Sequence, residues 1–488
     1  MKLYEKTAAQ LSGMLSGKEV TCRELTSEFI DRVQSVDDKV EAYLTYTFDD
    51  ALKTARVVDD KIARGEELLP LEGIPMAIKD NICTKGVRTT CASKMLENFV
   101  PPYDATLVRK IKQRNIPVLG KLNMDEFAMG SSTEKSYFKK TKNPHNLERV
   151  PGGSSGGSAA CVAAHEAVFS LGSDTGGSIR QPASLCGIIG LKPTYGAVSR
   201  YGLIAFSSSL DQVGPLTKDV SDCALTMNLL YGYDEMDSTS EPRKYDDFTK
   251  YLSEDIRGMR IALPREYMGD GIADDVKRAM AKAAETYKAL GAAIEEVSLP
   301  FADYALSAYY IIACAEASSN FSRYDGVKYG YRAENFSDLN DLYINTRTEG
   351  FGYEVRKRII LGTYVLSSEC YDAYYKKALK MRVAMRRELD EIFSKYDLIL
   401  TPTTSSTAFG FNEKTQDPLL MYMQDICTVF VNIAGVPAIS IPCGLGDDGL
   451  PIGLQLIGGK FREDKIINAA YAFEKACDIK FGGISHEL

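Results

Sequence analysis

Two clusters of glycine and serine carry the side chains best suited to chemistry in this chain. The first cluster spans residues 152–158 and the second spans residues 172–178, with a small, mostly apolar stretch between them. Glycine adopts positive φ readily and lets a ligand approach the backbone. Gly/Ser runs are often flexible linkers, but linkers do not alternate with segments that look buried. The pattern therefore indicates a site where backbone N–H groups and serine oxygens converge.

The second cluster ends in Asp-Thr-Gly-Gly-Ser, which predicts a nucleophile, Ser178, beside an oxyanion hole. A helix is expected to begin near Ile179, and the first N–H groups of a helix lack partners and favour anions. We expect the backbone N–H groups around Thr175, Gly176 and Gly177 to hold the oxyanion.

A serine nucleophile needs a base, and no histidine stands in a recognisable triad. The chain has three histidines, His145, His165 and His486, and the first two remain possible bases on count alone. Neither cluster carries the G-x-x-x-x-G-K-[ST] phosphate loop, and the G-x-S-x-G elbow of α/β-hydrolases is missing around Ser178, which is followed by isoleucine and arginine. Lysine is the known substitute for histidine as the base.

Lys79 is the best candidate for a lysine base. It follows the mostly apolar run of residues 73–78 and precedes Asp80 and Asn81. A lysine at the end of a buried strand loses hydration, which lowers its pKa and favours the neutral form. The spacing alone leaves open, and even favours, a surface lysine at the end of an edge strand.

Together, the lysine and the two clusters resemble the amidase signature family, whose triad is a lysine, a serine after a cis peptide bond and a nucleophilic serine. The resemblance places these roles on Lys79, Ser154 and Ser178, and it covers nearly the whole chain. It implies amide hydrolysis through an acyl-enzyme.

Within this family the chain is most similar to the glutaminase subunits of aminoacyl-tRNA amidotransferases. This closer resemblance rests on residues 121–132, on residues 349–355 with 358 and 361–364, and on residues 421–422 with 425.

The closer resemblance implies a glutamine-binding site formed by Gly130, Tyr309, Arg358 and Asp425. Arg358 would bind the α-carboxylate of glutamine and Asp425 its α-ammonium group, with Tyr309 nearby. On sequence alone, Arg358 also fits an ordinary solvated helix face, because it lies in the basic run of residues 356–358.

The resemblance also implies partners. The chain would hydrolyse glutamine to glutamate and ammonia and pass the ammonia to a larger B subunit with kinase and transamidase activity, braced by a small C subunit. The B subunit would use ATP and Mg²⁺ to convert Glu-tRNA(Gln) to Gln-tRNA(Gln), so no cofactor or metal is expected in this chain. Two alternatives stay open, a free-standing amidase that acts on another amide and a non-catalytic scaffold. The presence of all three triad residues argues against the scaffold.

Composition bounds the class of protein. The 488 residues carry a net charge of −8, which does not indicate a chain whose main role is to grip nucleic acid. The eleven cysteines are scattered with no C-x-x-C pair, which argues against disulfides and a zinc ribbon and points to the cytoplasm. No apolar run approaches the ~20 residues of a membrane span, and the first residues lack an apolar signal core.

The pattern of elements predicts an α/β fold, a mixed β-sheet core covered by helices on both faces, in a single domain over residues 1–488. Residues 1–65 are predicted to form a helical arm, in which Thr7 and Thr21 begin capping boxes. Strands alternate with helices from 71 to about 230, and Asp104 is expected to cap one of these helices.

The second half of the chain is predicted to contain a helix over residues 272–290 closed by Gly291, a helical insertion over about 300–396, and three further strands before a last helix. The insertion is rich in tyrosine. Tyrosines in such a block are expected to be half-buried core residues, with a lid or a substrate wall as the alternative.

Overall fold

One sheet runs through the part of the chain that the computed structural model describes, which is residues 2–244, 246–413 and 421–477. Its strand order is β1-β3-β2-β4-β6-β5-β10-β11-β9-β7-β8. The strands are β1 Tyr43–Tyr46, β2 Met76–Lys79, β3 Val118–Leu122, β4 Phe169–Asp174, β5 Ile189–Lys192, β6 Gln212–Thr217, β7 Arg260–Pro264, β8 Ala293–Val297, β9 Leu398–Pro402, β10 Ala438–Leu445 and β11 Pro451–Gly458.

The sheet is mixed, as predicted. Strand β2 is parallel to both β3 and β4, and β7 is parallel to both β8 and β9, whereas the other pairs are antiparallel. Every residue of β2, β4, β5, β6 and β9 is buried. A strand buried along its whole length is covered on both faces, which agrees with the predicted helices on either side.

Fourteen α-helices accompany this sheet in the described residues. They are α1 Ala8–Ser16, α2 Cys22–Val40, α3 Phe48–Ala63, α4 Thr106–Gln113, α5 Gly156–Ala163, α6 Arg180–Leu185, α7 Val220–Leu230, α8 Asp274–Ala289, α9 Ala305–Asn320, α10 Leu339–Gly350, α11 Tyr353–Val365, α12 Lys376–Phe393, α13 Val429–Ala434 and α14 Glu463–Ala476. None of them is both long and apolar enough to cross a membrane.

The N-terminal segment begins with the predicted capping boxes. Thr7 and Thr21 each accept a hydrogen bond from the backbone N–H three residues on, at the start of α1 and α2. Between α2 and α3 the chain forms strand β1, which was not predicted because four residues between two long helices carry little periodicity. Tyr43 in β1 pairs with Leu122 at the edge of the sheet.

Two further local predictions were wrong. Asp104 does not cap α4, whose N-cap is Ala105; its carboxylate instead accepts from the Lys85 backbone and pairs with Lys112. Strand β8 directly follows α8 and was missed, because its side chains are mostly exposed and give no apolar alternation. Gly291 follows α8 as expected, with a φ of +91° that favours glycine.

The tyrosines of the predicted helical insertion, residues 300–396, fall into two groups. Tyr309 is buried and Tyr310 is half-buried, as expected of a core or a substrate wall. Tyr304, Tyr353 and Tyr364 are 56%, 74% and 55% exposed, so the expectation of half-buried core does not hold for them.

Candidate active site

Two parallel strands bring the predicted lysine and the second glycine cluster together. Strand β2 ends at Lys79 and its neighbour β4 ends at Asp174, with Met76 paired to Phe169 and Ile78 paired to Leu171. Because parallel neighbours end at the same edge of a sheet, Lys79 and the residues after β4 meet there.

The ammonium group of Lys79 lies at the centre of a set of serine hydroxyls. Its Nζ is 2.8 Å from Oγ of Ser154, 2.8 Å from Oγ of Ser155 and 2.9 Å from Oγ of Ser173. The side chain is fully buried, so the surface lysine that the spacing alone favoured is not what the structure contains. A buried amine among hydroxyls can exchange protons with them.

Burial lowers the pKa of Lys79 from 10.5 to about 7, against the opposing pull of Asp125, Asp174 and Asp211. Near neutral pH a large fraction of this amine is therefore neutral and able to accept a proton. An ordinary lysine would be almost entirely protonated at that pH.

The two glycine clusters join through their backbones. The N–H of Ser155 donates to the carbonyl of Ser178 at 3.1 Å, and the Ser155 hydroxyl donates to the carbonyl of Ser173 at 3.0 Å. The peptide bond between Gly153 and Ser154 is cis. The Ser178 side chain is 8% exposed and its hydroxyl has no hydrogen-bond partner among the residues described. Its hydroxyl is thus the one left open to a substrate.

Asp125 shapes the loop that carries Ser154. Its carboxylate accepts from the backbone N–H groups of Ser132, Thr133 and Lys135 at 2.9–3.2 Å. A Cβ at Gly153 would fall 2.1 Å from Oδ2 of Asp125, so only glycine fits there.

The predicted oxyanion loop leaves some of its backbone donors open. The N–H of Gly177 donates to Oδ1 of Asp174 at 2.9 Å, so this predicted donor is occupied in the structure. The N–H groups of Thr175, Gly176 and Ser178 have no hydrogen-bond partner in the described parts of the chain. These three are the donors that an oxyanion could meet beside Ser178.

A buried ion pair holds this loop in shape. Asp174 and Arg180 are both fully buried and 3.0 Å apart, and Asn432 donates to the same carboxylate at 2.8 Å. Although burial opposes ionisation, Arg180 lowers the pKa of Asp174 to about 2. The charged carboxylate accepts the Gly177 and Ile179 N–H groups and so fixes the turn around Ser178.

A cavity of about 150 Å³ contains two of the residues predicted to bind glutamine, Gly130 and Arg358. Arg358 is 3% exposed, so it does not belong to a solvated helix face. Its Nε donates to Glu354 at 2.8 Å, and its terminal nitrogens make no hydrogen bond within the described residues. The free edge of a guanidinium matches a carboxylate by two parallel hydrogen bonds.

Asp425 supplies the negative charge near this cavity. Its two oxygens accept from the hydroxyls of Ser131 at 2.7 Å and Tyr310 at 2.9 Å. Burial raises its pKa to about 6, so it is mostly ionised at neutral pH. Among the described residues it forms no salt bridge with Arg358, whose ion pair is with Glu354, so the terminal nitrogens of Arg358 and the carboxylate of Asp425 can meet different ends of a ligand.

Tyr309 connects the charged pair to the oxyanion loop. A Cβ at Gly176 would lie 2.5 Å from Cζ of Tyr309, so the ring packs directly on the loop. Its ring centroid is 5.0 Å from that of Tyr310, the neighbour of Asp425.

The histidines that stayed open as bases lie elsewhere. Nε2 of His145 is 3.0 Å from the carbonyl oxygen of Cys186, and His165 packs near Tyr4. His486 lies outside the described residues. The groups that contact Lys79 are serines, which favours lysine as the base.

Sequence reasoning missed several residues of this site. Ser155, Ser173 and Asp174 lie inside the two glycine clusters, and counting every polar group there would have found them. Arg180 and Tyr310 carry no such signal, because an arginine after a loop and a tyrosine in a helix are usually ordinary surface or core residues.

The amidase family model matches residues 24–467, and the chain therefore belongs to this family of amidases. The chain is 58% identical over 476 residues to the A subunit of glutamyl-tRNA(Gln) amidotransferase from Caldanaerobacter subterraneus subsp. tengcongensis, covering 98% of this chain and 97% of the relative. It is also 58% identical to the same protein of Heliobacterium modesticaldum, with 98% of each chain covered. The crystal structure of the corresponding Thermotoga maritima protein matches with a TM-score of 0.80 and 44% identity, over 97% of this chain and 95% of that chain.

Proposed function

We propose that this chain is the glutaminase subunit of a glutamyl-tRNA(Gln) amidotransferase. The observation that carries the proposal is the buried Lys79, with a pKa of about 7, hydrogen-bonded to Ser154 beside Ser178. The cavity with Arg358 and the nearby Asp425 adds one positive and one negative group, which suit the amino-acid end of glutamine. The relatives that match over nearly their full length are named as A subunits of glutamyl-tRNA(Gln) amidotransferases, which supports the subunit assignment.

In the proposed reaction, Ser178 Oγ attacks the side-chain carbonyl carbon of glutamine. Its proton passes to Ser154 Oγ while the Ser154 proton moves to the neutral Nζ of Lys79. The oxyanion is held by open backbone N–H groups around Thr175 and Gly176, each of which contributes about 3–4 kcal/mol in known cases.

The acyl-enzyme forms when the C–N bond breaks. The proton on Lys79 returns through Ser154 to the leaving nitrogen, which departs as ammonia. Water then attacks the acyl carbon and gives a proton to the same relay. The bond to Ser178 Oγ breaks, the relay returns that proton to Oγ, and glutamate leaves.

The ammonia would serve a second active site on another chain. Activation of a tRNA-bound glutamate needs ATP, and this chain carries no phosphate-binding G-x-x-x-x-G-K-[ST] loop. We infer that a larger B subunit binds ATP, Mg²⁺ and Glu-tRNA(Gln), that a small C subunit braces the pair, and that the complex works in the cytoplasm. No cofactor is assigned to this chain.

Reconstitution tests the subunit role. The purified chain alone should release little glutamate from glutamine and form no Gln-tRNA(Gln). With the B and C subunits, ATP and Glu-tRNA(Gln), both glutamate release and tRNA-bound glutamine should rise, and Ser178→Ala should abolish both. Efficient hydrolysis of another amide without partners, together with no response to them, would support the free-standing amidase instead.

A further inference from the structure

One tyrosine touches both charged groups of the proposed glutamine site. The hydroxyl of Tyr310 donates to Oδ2 of Asp425 at 2.9 Å. The guanidinium carbon of Arg358 lies 5.1 Å from the centroid of the same ring. We propose that Tyr310 is a positioning residue for substrate specificity, which orients Asp425 and Arg358 together so that both charged ends of glutamine are recognised. This inference rests on the proposed glutaminase function.

The contacts around Tyr310 close into a ring. Tyr422 packs on Tyr310 with centroids 4.1 Å apart, and its hydroxyl donates to Glu354 at 3.3 Å. Glu354 accepts from Nε of Arg358 at 2.8 Å. Each side chain therefore restrains the next. Because Asp425 is hydrogen-bonded to Tyr310, a displacement of Asp425 or of Arg358 shifts the other through these contacts.

The hydroxyl of Tyr310 acts on the anionic end of the site. Besides Ser131 and Tyr310, the titratable groups that face Asp425 are Arg358, Asp125 and Tyr309. The Tyr310 hydrogen bond favours the carboxylate against its burial. Without the hydroxyl, less of Asp425 is ionised at neutral pH and one of its oxygens loses its anchor, so an α-ammonium group binds less well.

The ring of Tyr310 acts on the cationic end. A guanidinium near an aromatic face is attracted by the ring quadrupole, and this attraction grows where water is excluded, as it is around the buried Arg358. Tyr310→Phe removes the hydroxyl and keeps the ring. Tyr310→Leu removes both, so the pair of variants separates the two roles.

Four amides separate the two ends of the substrate. Glutamine carries both charges, 4-aminobutanamide keeps only the ammonium group, 5-amino-5-oxopentanoate keeps only the carboxylate, and butanamide carries neither. All four present the same primary amide to the catalytic serine, and ammonia release measures kcat and KM for each.

We expect Tyr310→Phe to raise KM about tenfold for glutamine and 4-aminobutanamide, the worth of one hydrogen bond to a charged group. The rise in KM should be at least about five times smaller for the two substrates without an ammonium group, because they make no charged hydrogen bond to Asp425. Tyr310→Leu should also raise KM for 5-amino-5-oxopentanoate, as should Glu354→Gln. Tyr304→Phe is the matched control, because Tyr304 immediately precedes α9, the helix that carries Tyr310, and is 56% exposed.

The pH profile gives a second readout. In Tyr310→Phe the acid limb of kcat/KM for glutamine should move to higher pH, while the limb for 5-amino-5-oxopentanoate should not move. Equal losses of Tyr310→Phe on all four amides, or no loss on any, would overturn the proposal. A wild-type protein that does not prefer glutamine to butanamide would instead overturn the proposed function itself.

Discussion

Replacing Lys79 with methionine removes the proposed base and keeps an unbranched side chain of similar length. The side chain is fully buried among three serine hydroxyls, and within the described residues no other group in contact with it can take the proton from Ser154. Loss of a triad member in a serine hydrolase lowers kcat by a factor on the order of 10⁴ to 10⁶. We expect a loss of that size for Lys79→Met.

Although Lys79→Met lowers activity, it should remove a pH-dependent cost to the free energy of unfolding. The pKa of Lys79 falls from 10.5 in the unfolded chain to about 7 in the folded protein. Unfolding therefore takes up a proton, and the wild type loses stability as the pH falls from 10.5 towards 7. At 1.36 kcal/mol per pKa unit, the cost is about 4 kcal/mol at pH 7 and about 2 kcal/mol at pH 9.

Urea unfolding at pH 7 and pH 9 and ammonia release from glutamine together measure both effects. In Lys79→Met the hydroxyls of Ser154, Ser155 and Ser173 lose a hydrogen-bond partner, which lowers the free energy of unfolding by an amount that does not depend on pH. The stability of the variant relative to the wild type should therefore fall by about 2 kcal/mol from pH 7 to pH 9. Lys192→Met is the matched control, because Lys192 is also buried with a pKa lowered to about 7 and should show the same trend with activity retained. A pH-independent difference, or a Lys79→Met variant with a tenth of wild-type activity, would refute the reasoning.

The remaining predictions concern the nucleophile, the loop, a buried acid and the pH profile. Ser178→Ala should lower glutaminase kcat by a factor on the order of 10⁶ with an unchanged urea midpoint, and a tenth of the activity remaining would exclude Ser178 as the nucleophile. Asp174→Asn should lower the free energy of unfolding by about 3–5 kcal/mol, because it leaves the buried charge of Arg180 without an ionic partner. An unchanged urea midpoint would contradict this. Glu166 is fully buried, its carboxyl oxygens have no hydrogen-bond partner in the described chain, and burial raises its pKa well above 4.5. The free energy of unfolding of Glu166→Gln should therefore rise relative to the wild type by up to about 1.4 kcal/mol per pH unit above pH 5, and parallel stability curves would count against it. The kcat/KM for butanamide should rise with pH through about 7 as Lys79 loses its proton, and a flat profile would argue against a lysine base.

Local pattern predicted the elements that are long or strongly periodic. The capping boxes at Thr7 and Thr21, the helix before Gly291 and the strand that ends at Lys79 were visible as residue types at fixed spacing. Strands β1 and β8 were not, because pairing with a distant strand at the sheet edge determines them. The limits of the single domain over 1–488, of the arm and of the insertion stay predictions.

The candidate site also contains features that the sequence marks and features that only the packed structure shows. The glycine clusters mark Ser154 and Ser178 because glycine is required where backbones approach closely, and the resemblance to a family supplied their roles. The burial of Lys79, the use of the Gly177 N–H by Asp174 and the contacts of Tyr310 arise only when distant segments pack together. No spacing rule in one sequence reports such contacts.

Trapping of the acyl-enzyme tests the central claim most directly. The wild-type protein is mixed with glutamine, quenched in acid within its first turnovers, and examined by intact mass spectrometry and peptide mapping. The account predicts an adduct with the mass of glutamine less ammonia on Ser178, absent from Ser178→Ala and strongly reduced in Lys79→Met. An adduct on another residue, or glutamate release by a chain that never carries one, would contradict it.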